Sequence, residues 1–346
     1  MAIVQAQWIT FRNNPFFIVG YHNEKSTVVE RMENRCRKYE SAFEMEKNDT
    51  DSEVQLYKKN VTCEFKTDYF GSEKAESGVL PHMALIGYGQ RRRKRFYWKC
   101  TGSLISDRWV LSSAYCSPRD NSQWARYVLL GDMNVRSTDD LDILNNPNVK
   151  LFWIRTRVKQ PEYTSSQAYY DLVLFQLNTT VEFNRFIRPI CLHGWLSNDS
   201  DVFASGWGPN FFRGDPQSYN LVLRNYEFWS TNHLMKNKAE IIGNEECRRR
   251  YPASITRGDA TNVIAEGINS TSQFCFKAVG NNSCQFETGS PIQQVLKDSC
   301  MYNLVGVVAI GGKCGTDLPT IYTRVQPFLE WIESVAWEWG EEFRPT

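Results

Sequence analysis

From Tyr69 onward, short runs of β-branched and aromatic residues alternate with turn clusters. They fall at Leu104–Ser112, Tyr127–Leu130, Leu151–Val158, Leu172–Leu177, Val202–Gly206 and Leu304–Ile310. That rhythm predicts an all-β barrel or sandwich. Near the C-terminus, Pro327–Trp337 places apolar residues at helical spacing just after a proline, so a helix is expected there. Residues 1–68 read differently. They are polar and charge-rich, and Glu44–Lys59 holds few large apolar side chains. The expectation for 1–68 is a poorly structured pro-region or linker without a core of its own. A folded domain is expected over 69–346.

Charge changes this picture little. The chain has 40 basic and 39 acidic residues, so nothing pulls it generally toward nucleic acid or membrane. No apolar run approaches the roughly 20 residues that a spanning helix requires. Ten cysteines form an even set without a Cys-x-x-Cys pair, which favours disulfides over zinc. The count alone leaves their pairing open. Asn-x-Ser/Thr sequons at Asn48, Asn60, Asn178, Asn198, Asn269 and Asn281 fit a glycosylated, extracellular chain. Met1–Tyr21 offers only Phe16–Val19 as an apolar stretch, which is short for a signal peptide. The cysteines nevertheless favour secretion.

Candidate chemistry sits in Cys284-Gln285-Phe286-Glu287-Thr288-Gly289-Ser290-Pro291. This stretch resembles the nucleophile loop Cys-Gln-Gly-Asp-Ser-Gly-Gly-Pro of trypsin-like (chymotrypsin-fold) serine proteases. Further landmarks follow the family in order. Trp109-Val110-Leu111-Ser112-Ser113-Ala114-Tyr115-Cys116 resembles the segment that ends Ala-Ala-His-Cys in active members. Tyr170-Asp171-Leu172-Val173-Leu174 resembles the segment of the triad aspartate. Gly206-Trp207-Gly208 and Ile321-Tyr322-Thr323-Arg324-Val325 also match. Pro81-His82-Met83-Ala84-Leu85 and the stretch from Leu130 to Asp140 resemble the insect haemolymph subgroup of clotting, Toll and melanisation cascades. The resemblance implies two six-stranded antiparallel β-barrels and a C-terminal helix. With only Cys36 and Cys63, the 1–68 segment falls short of the six cysteines of a clip domain. The family's geometry further implies the pairs Cys100–Cys116, Cys247–Cys275, Cys284–Cys314, Cys36–Cys191 and Cys63–Cys300.

Set against that family, several site positions are altered. Tyr115 stands for the catalytic histidine, Thr288 for the serine and Phe286 for an oxyanion-hole glycine, while Asp171 is kept. Asn282 replaces the aspartate that binds basic residues, and Thr320 falls where a glycine leaves the pocket mouth open. A phenol titrates near pH ~10 and is a poor proton acceptor at neutrality. Losing one oxyanion donor costs about 10²–10³ in rate. Thr67-Asp68-Tyr69-Phe70 sits at the activation junction, where active relatives carry Arg or Lys before Ile-Val-Gly-Gly. On these residues the expectation is a protein that is not an enzyme: a secreted homologue acting by binding, as cofactor, decoy or regulator in a cascade. Its partner would be a protease, a zymogen or an inhibitor. The alternatives are a weakly active serine-type endopeptidase and a structural or reproductive-fluid protein on the same fold. No cofactor and no metal site are expected, His22, His82, His193 and His233 being scattered. Arg91-Arg92-Arg93-Lys94-Arg95, between two strand-like segments, reads as a solvated loop, an exosite for an anionic ligand or partner, or a processing site.

Overall fold

The computed structural model describes residues 27–46, 72–90, 95–118, 124–134, 146–193, 202–207, 233–251, 263–278, 288–296, 301–311 and 318–338. Helix α1 (Thr27–Glu46) and a short strand β1 (Ser72–Lys74) precede two barrels. The first barrel comprises β2 (Met83–Gln90), β3 (Arg95–Leu104), β4 (Trp109–Ser112), β5 (Ala125–Leu130), β6 (Lys150–Lys159) and β7 (Val173–Leu177). It closes in the order β2-β3-β4-β7-β6-β5, with every pairing antiparallel. The expected Leu104–Ser112 run is broken at a turn, where the Trp109 carbonyl accepts from the Ile105 N–H and Ser106 Oγ accepts from the Trp109 N–H.

The second barrel comprises β8 (Val202–Gly206), β9 (Met235–Ile242), β10 (Gln273–Ala278), β11 (Pro291–Leu296), β12 (Met301–Ile310) and β13 (Thr320–Arg324). Its order is β9-β10-β13-β12-β11-β8, and the β8–β9 pairing closes it. Strand β1 pairs antiparallel with the first half of β9, setting Ser72 against Asn237. A helix α2 (Asn244–Arg250) leads out of β9 and is anchored by the Cys247–Cys275 disulfide. The C-terminal helix α3 (Leu329–Glu333) follows a 3-10 turn at Gln326–Phe328 and runs on into a π turn at Ser334–Glu338. The all-β fold with two six-stranded barrels and a C-terminal helix is therefore as the sequence predicts.

Each barrel fills its own interior. Ile86, Leu104, Val110, Val128, Phe152 and Phe175 pack inside the first, and Phe274, Phe276, Ile292, Val308 and Tyr322 inside the second. A further cluster lies between them. Leu85, Leu111, Leu172 and Leu174 from the first barrel meet Phe203, Leu304, Val307 and Val325 from the second. This explains why β4 and β8 are buried at every position: one face looks into a barrel and the other onto a neighbouring layer. Continuous apolar runs are the sequence mark of strands covered on both faces.

The 1–68 segment departs from its expected lack of structure over Thr27–Glu46, which forms α1. Val28, Val29, Met32 and Cys36 share one helical face and are buried. The first three join the inter-barrel cluster beside Leu329 and Ile332 of α3. Cys36 is disulfide-bonded to Cys191, with a Cα–Cα distance of 5.2 Å. Arg31 and Arg35 both reach Glu333, and the Arg35 guanidinium lies 4.6 Å from the centre of the Trp337 ring. Docking supplies the stability that an isolated polar helix of this length lacks in water.

Candidate active site

The cleft side of the first barrel is built on the turn that ends β4. Ser113 caps a single 3-10 turn, Ala114–Cys116, and its Oγ accepts from the Tyr115 N–H at 3.2 Å. Cys116 is bridged to Cys100 on β3, which fixes the turn against the barrel wall. Tyr115 projects from this turn and is 39 % exposed, one of two large apolar side chains so exposed among the described residues.

Beneath it lies Asp171, fully buried at 0 % exposure. Its carboxylate accepts from the Ser113 hydroxyl through Oδ2 at 2.7 Å and from the Tyr115 N–H through Oδ1 at 2.9 Å. The chain delivers Asp171 through a tight bend. Tyr170 takes a left-handed conformation at φ 54°, and its carbonyl accepts from the Leu172 N–H at 2.8 Å. A non-glycine residue held there costs of order 1–3 kcal/mol and persists only where surrounding contacts enforce it. The Tyr170 ring packs edge-on against Phe328, with centroids 6.1 Å apart, which supplies one such contact.

Thr288 approaches from the second barrel and is half-buried. Its carbonyl accepts from the Thr101 N–H on β3 at 3.1 Å and lies 3.4 Å from Cys116 Sγ. The structure thus brings Tyr115, Asp171 and Thr288 to one place at the junction of the barrels. Gly289 makes that approach sterically feasible. It sits at φ +90°, and a Cβ there would stand 2.1 Å from the Thr101 carbonyl oxygen and 2.3 Å from Ser112 Oγ. No side chain fits. Thr320 occupies the first residue of β13, opposite Phe276 on β10. Phe286 and Asn282 lie outside the described residues, as do Cys284–Cys314, Cys63–Cys300 and Arg91–Lys94.

The described histidines serve other ends. His82 is buried, its Nε2 is 2.5 Å from Gln293 Oε1, and burial pushes its pKa down to about 3. Gln293 in turn donates to Ser205 Oγ at 2.9 Å, so this neutral imidazole belongs to a polar tie between the barrels. His193 lies beside Cys36 and Cys191, whose sulfurs are joined to each other and so are not metal ligands. One residue bonded to Asp171 escapes the sequence reading: Ser113. Its signal was present, since it replaces the first alanine of Ala-Ala-His-Cys in the same segment that loses the histidine.

The family described as Trypsin matches residues 69–332. "Serine protease Hayan" of Drosophila melanogaster is 29 % identical over 275 residues, covering 77 % of this chain and 38 % of that protein. "Serine protease snk" of the same species is 29 % identical over 280 residues, covering 78 % and 57 %. "CLIP domain-containing serine protease B15" of Anopheles gambiae is 30 % identical over 281 residues, covering 77 % and 69 %. The chain therefore spans well under two thirds of the length of the first two. These relatives are named serine proteases, which are enzymes, and that overturns the expectation that this chain is not one. The altered residues describe how its site differs from the family's pattern.

Proposed function

Because the chain belongs to the trypsin family of serine proteases, we propose that it works outside the cell in a proteolytic cascade, engaging another protein of that cascade across its cleft. The observation that carries this reading is Tyr115. A large amphipathic ring stands half in solvent at the mouth of the cleft, on a turn fixed by a disulfide and a buried carboxylate. Rigid exposed aromatic side chains on a firm support are what protein interfaces use as anchors. Relatives named "Melanization protease 1" and "CLIP domain-containing serine protease C9" support the cascade setting. Described disulfides support the extracellular setting, and no described helix is long and apolar enough to cross a membrane. The test is a reconstituted cascade of protease zymogens. Adding the protein changes the rate of zymogen activation, and Tyr115→Ala removes most of that change. An unaltered rate counts against the proposal.

A second reading, direct endopeptidase action, is favoured by the frame that surrounds Thr288, Asp171 and Gly289. In that case purified protein cleaves the downstream zymogen itself, without an added protease.

Anionic partners have a candidate surface in the Arg91–Arg95 run. The strands of the first barrel carry Arg95, Lys99, Arg126, Lys150, Arg155, Arg157 and Lys159 and no Asp or Glu. Clustered charge of one sign raises the local concentration of a polyanion. Replacing Arg91–Arg95 with serine is expected to bring elution from a heparin column to clearly lower salt. Unchanged retention would reject this surface.

A further inference from the structure

In the triad arrangement, the buried aspartate accepts a hydrogen bond from the imidazole N–H of the base and so orients that ring. Here the base position holds Tyr115, yet the Asp171 carboxylate is fully buried and still receives a side-chain donor: the Ser113 hydroxyl, at 2.7 Å from Oδ2. The same oxygen atom of Ser113 accepts from the Tyr115 N–H, which also reaches Asp171 Oδ1. Ser113, Tyr115 and Asp171 thus form a closed ring of hydrogen bonds. Ser113 itself is fully buried, and Ala at this position would offer Asp171 nothing.

We infer that Ser113 is a positioning residue of this site: its hydroxyl holds the Asp171 carboxylate in the way an imidazole N–H would, and fixes the turn that presents Tyr115. The inference rests on the local geometry and on family membership, and is independent of the cascade reading. A buried carboxylate without adequate donors is costly, by roughly the desolvation of a charged group. The residue two positions before the base position supplies Asp171 with one such donor. A hydroxyl there reaches Oδ2 because the 3-10 turn folds position 113 back under position 115.

A consequence distinguishes this role from plain packing. A histidine introduced at 115 must compete with the Ser113 hydroxyl for Oδ2. The experiment is NMR titration of the imidazole in three full-length proteins: Tyr115→His, Ser113→Ala/Tyr115→His and Ser113→Thr/Tyr115→His. Carboxylate pairing raises a histidine pKa. The midpoint is therefore expected to be at least about half a unit higher in the alanine double variant than in the single variant. The threonine double variant, which keeps a hydroxyl, should track the single variant. Equal midpoints in all three, or a threonine variant that behaves like alanine, would overturn the inference. A second readout needs no histidine. Ser113→Ala alone is expected to speed hydrogen exchange at the Tyr115 amide by about tenfold, and Ser113→Thr to leave it near the unmodified rate. Unchanged exchange in the alanine variant would also overturn it.

Discussion

The triple variant Ser113→Ala/Tyr115→His/Thr288→Ser hydrolyses an activated peptide ester at least about 10²-fold faster than the unmodified protein, since a positioned general base contributes 10²–10⁴ in rate. The framework it needs is already in place. Asp171 is buried and points at the turn of residue 115, so an imidazole there gains an orienting carboxylate once Ser113 no longer fills Oδ2. Position 288 is held near that turn by the Thr101 N–H, which places its carbonyl 3.4 Å from Cys116 Sγ. Gly289 keeps its left-handed conformation, so the loop carries the serine without rearrangement. Serine replaces threonine because a β-methyl narrows the rotamers open to the attacking oxygen. Leaving Ser113 in place should give a smaller gain. A triple variant no faster than the parent would show that the described geometry is not the limiting feature. Kinetics with a neutral ester suffice to check this, because they ask little of the pocket.

The second large effect concerns α1. Arg31→Ala/Arg35→Ala is expected to destabilise the chain by about 3–5 kcal/mol, as when a buried ion loses its partners. Glu333 explains the size. Its side chain is 3 % exposed, while those of Arg31 and Arg35 are 48 % and 31 % exposed. Arg31 donates to both carboxylate oxygens, through Nε at 2.7 and 2.9 Å and through Nη2 at 2.5 Å. Removing the arginines strands a charge in the interior. Removing the charge instead, as in Glu333→Gln, leaves cations that water can reach, and should cost only about 1–2 kcal/mol. The sign of the pH dependence follows. Arg31 hydrogen bonds hold the Glu333 carboxyl below its ordinary value. Its contribution is therefore full above the unfolded carboxylate pKa and is lost as pH falls through the folded one. In the double-alanine variant, burial acts alone and favours the protonated acid. The gap between the two proteins narrows on acidification. Urea unfolding at neutral and mildly acidic pH measures both effects, and a larger loss for Glu333→Gln than for the arginine pair would refute the assignment.

What could be read from the chain in advance follows from where water is excluded. Runs such as Val202–Gly206 and Leu172–Leu177 are mostly apolar, broken only by Ser205 and Gln176, because both faces are largely covered, and they emerge as β8 and β7 within a residue. The barrel architecture came from motif resemblance, since local pattern says nothing about which strands pair. Helix α1 was hidden for the opposite reason. Among its described side chains the buried hydrophobic face is Val28, Val29, Met32 and Cys36, set among charges, and it is stabilised by distant partners: Cys191, Glu333 and Trp337. Tertiary contacts across some 300 positions leave no local trace. At the site, Tyr115, Asp171 and Thr288 were legible by position in a motif. The Ser113–Asp171 bond was not, because it joins residues that the fold alone brings together.

The side chain at the base position beside Asp171 is a phenol and not an imidazole. The most direct test is the pH dependence of ester hydrolysis by the unmodified protein beside the triple variant, from about pH 5.5 to 8, the range in which histidine changes charge. The triple variant should show a single inflection near the histidine range, and the unmodified protein none. An inflection of that kind in the unmodified protein would mean that a histidine serves as its base, and would contradict the assignment of Tyr115.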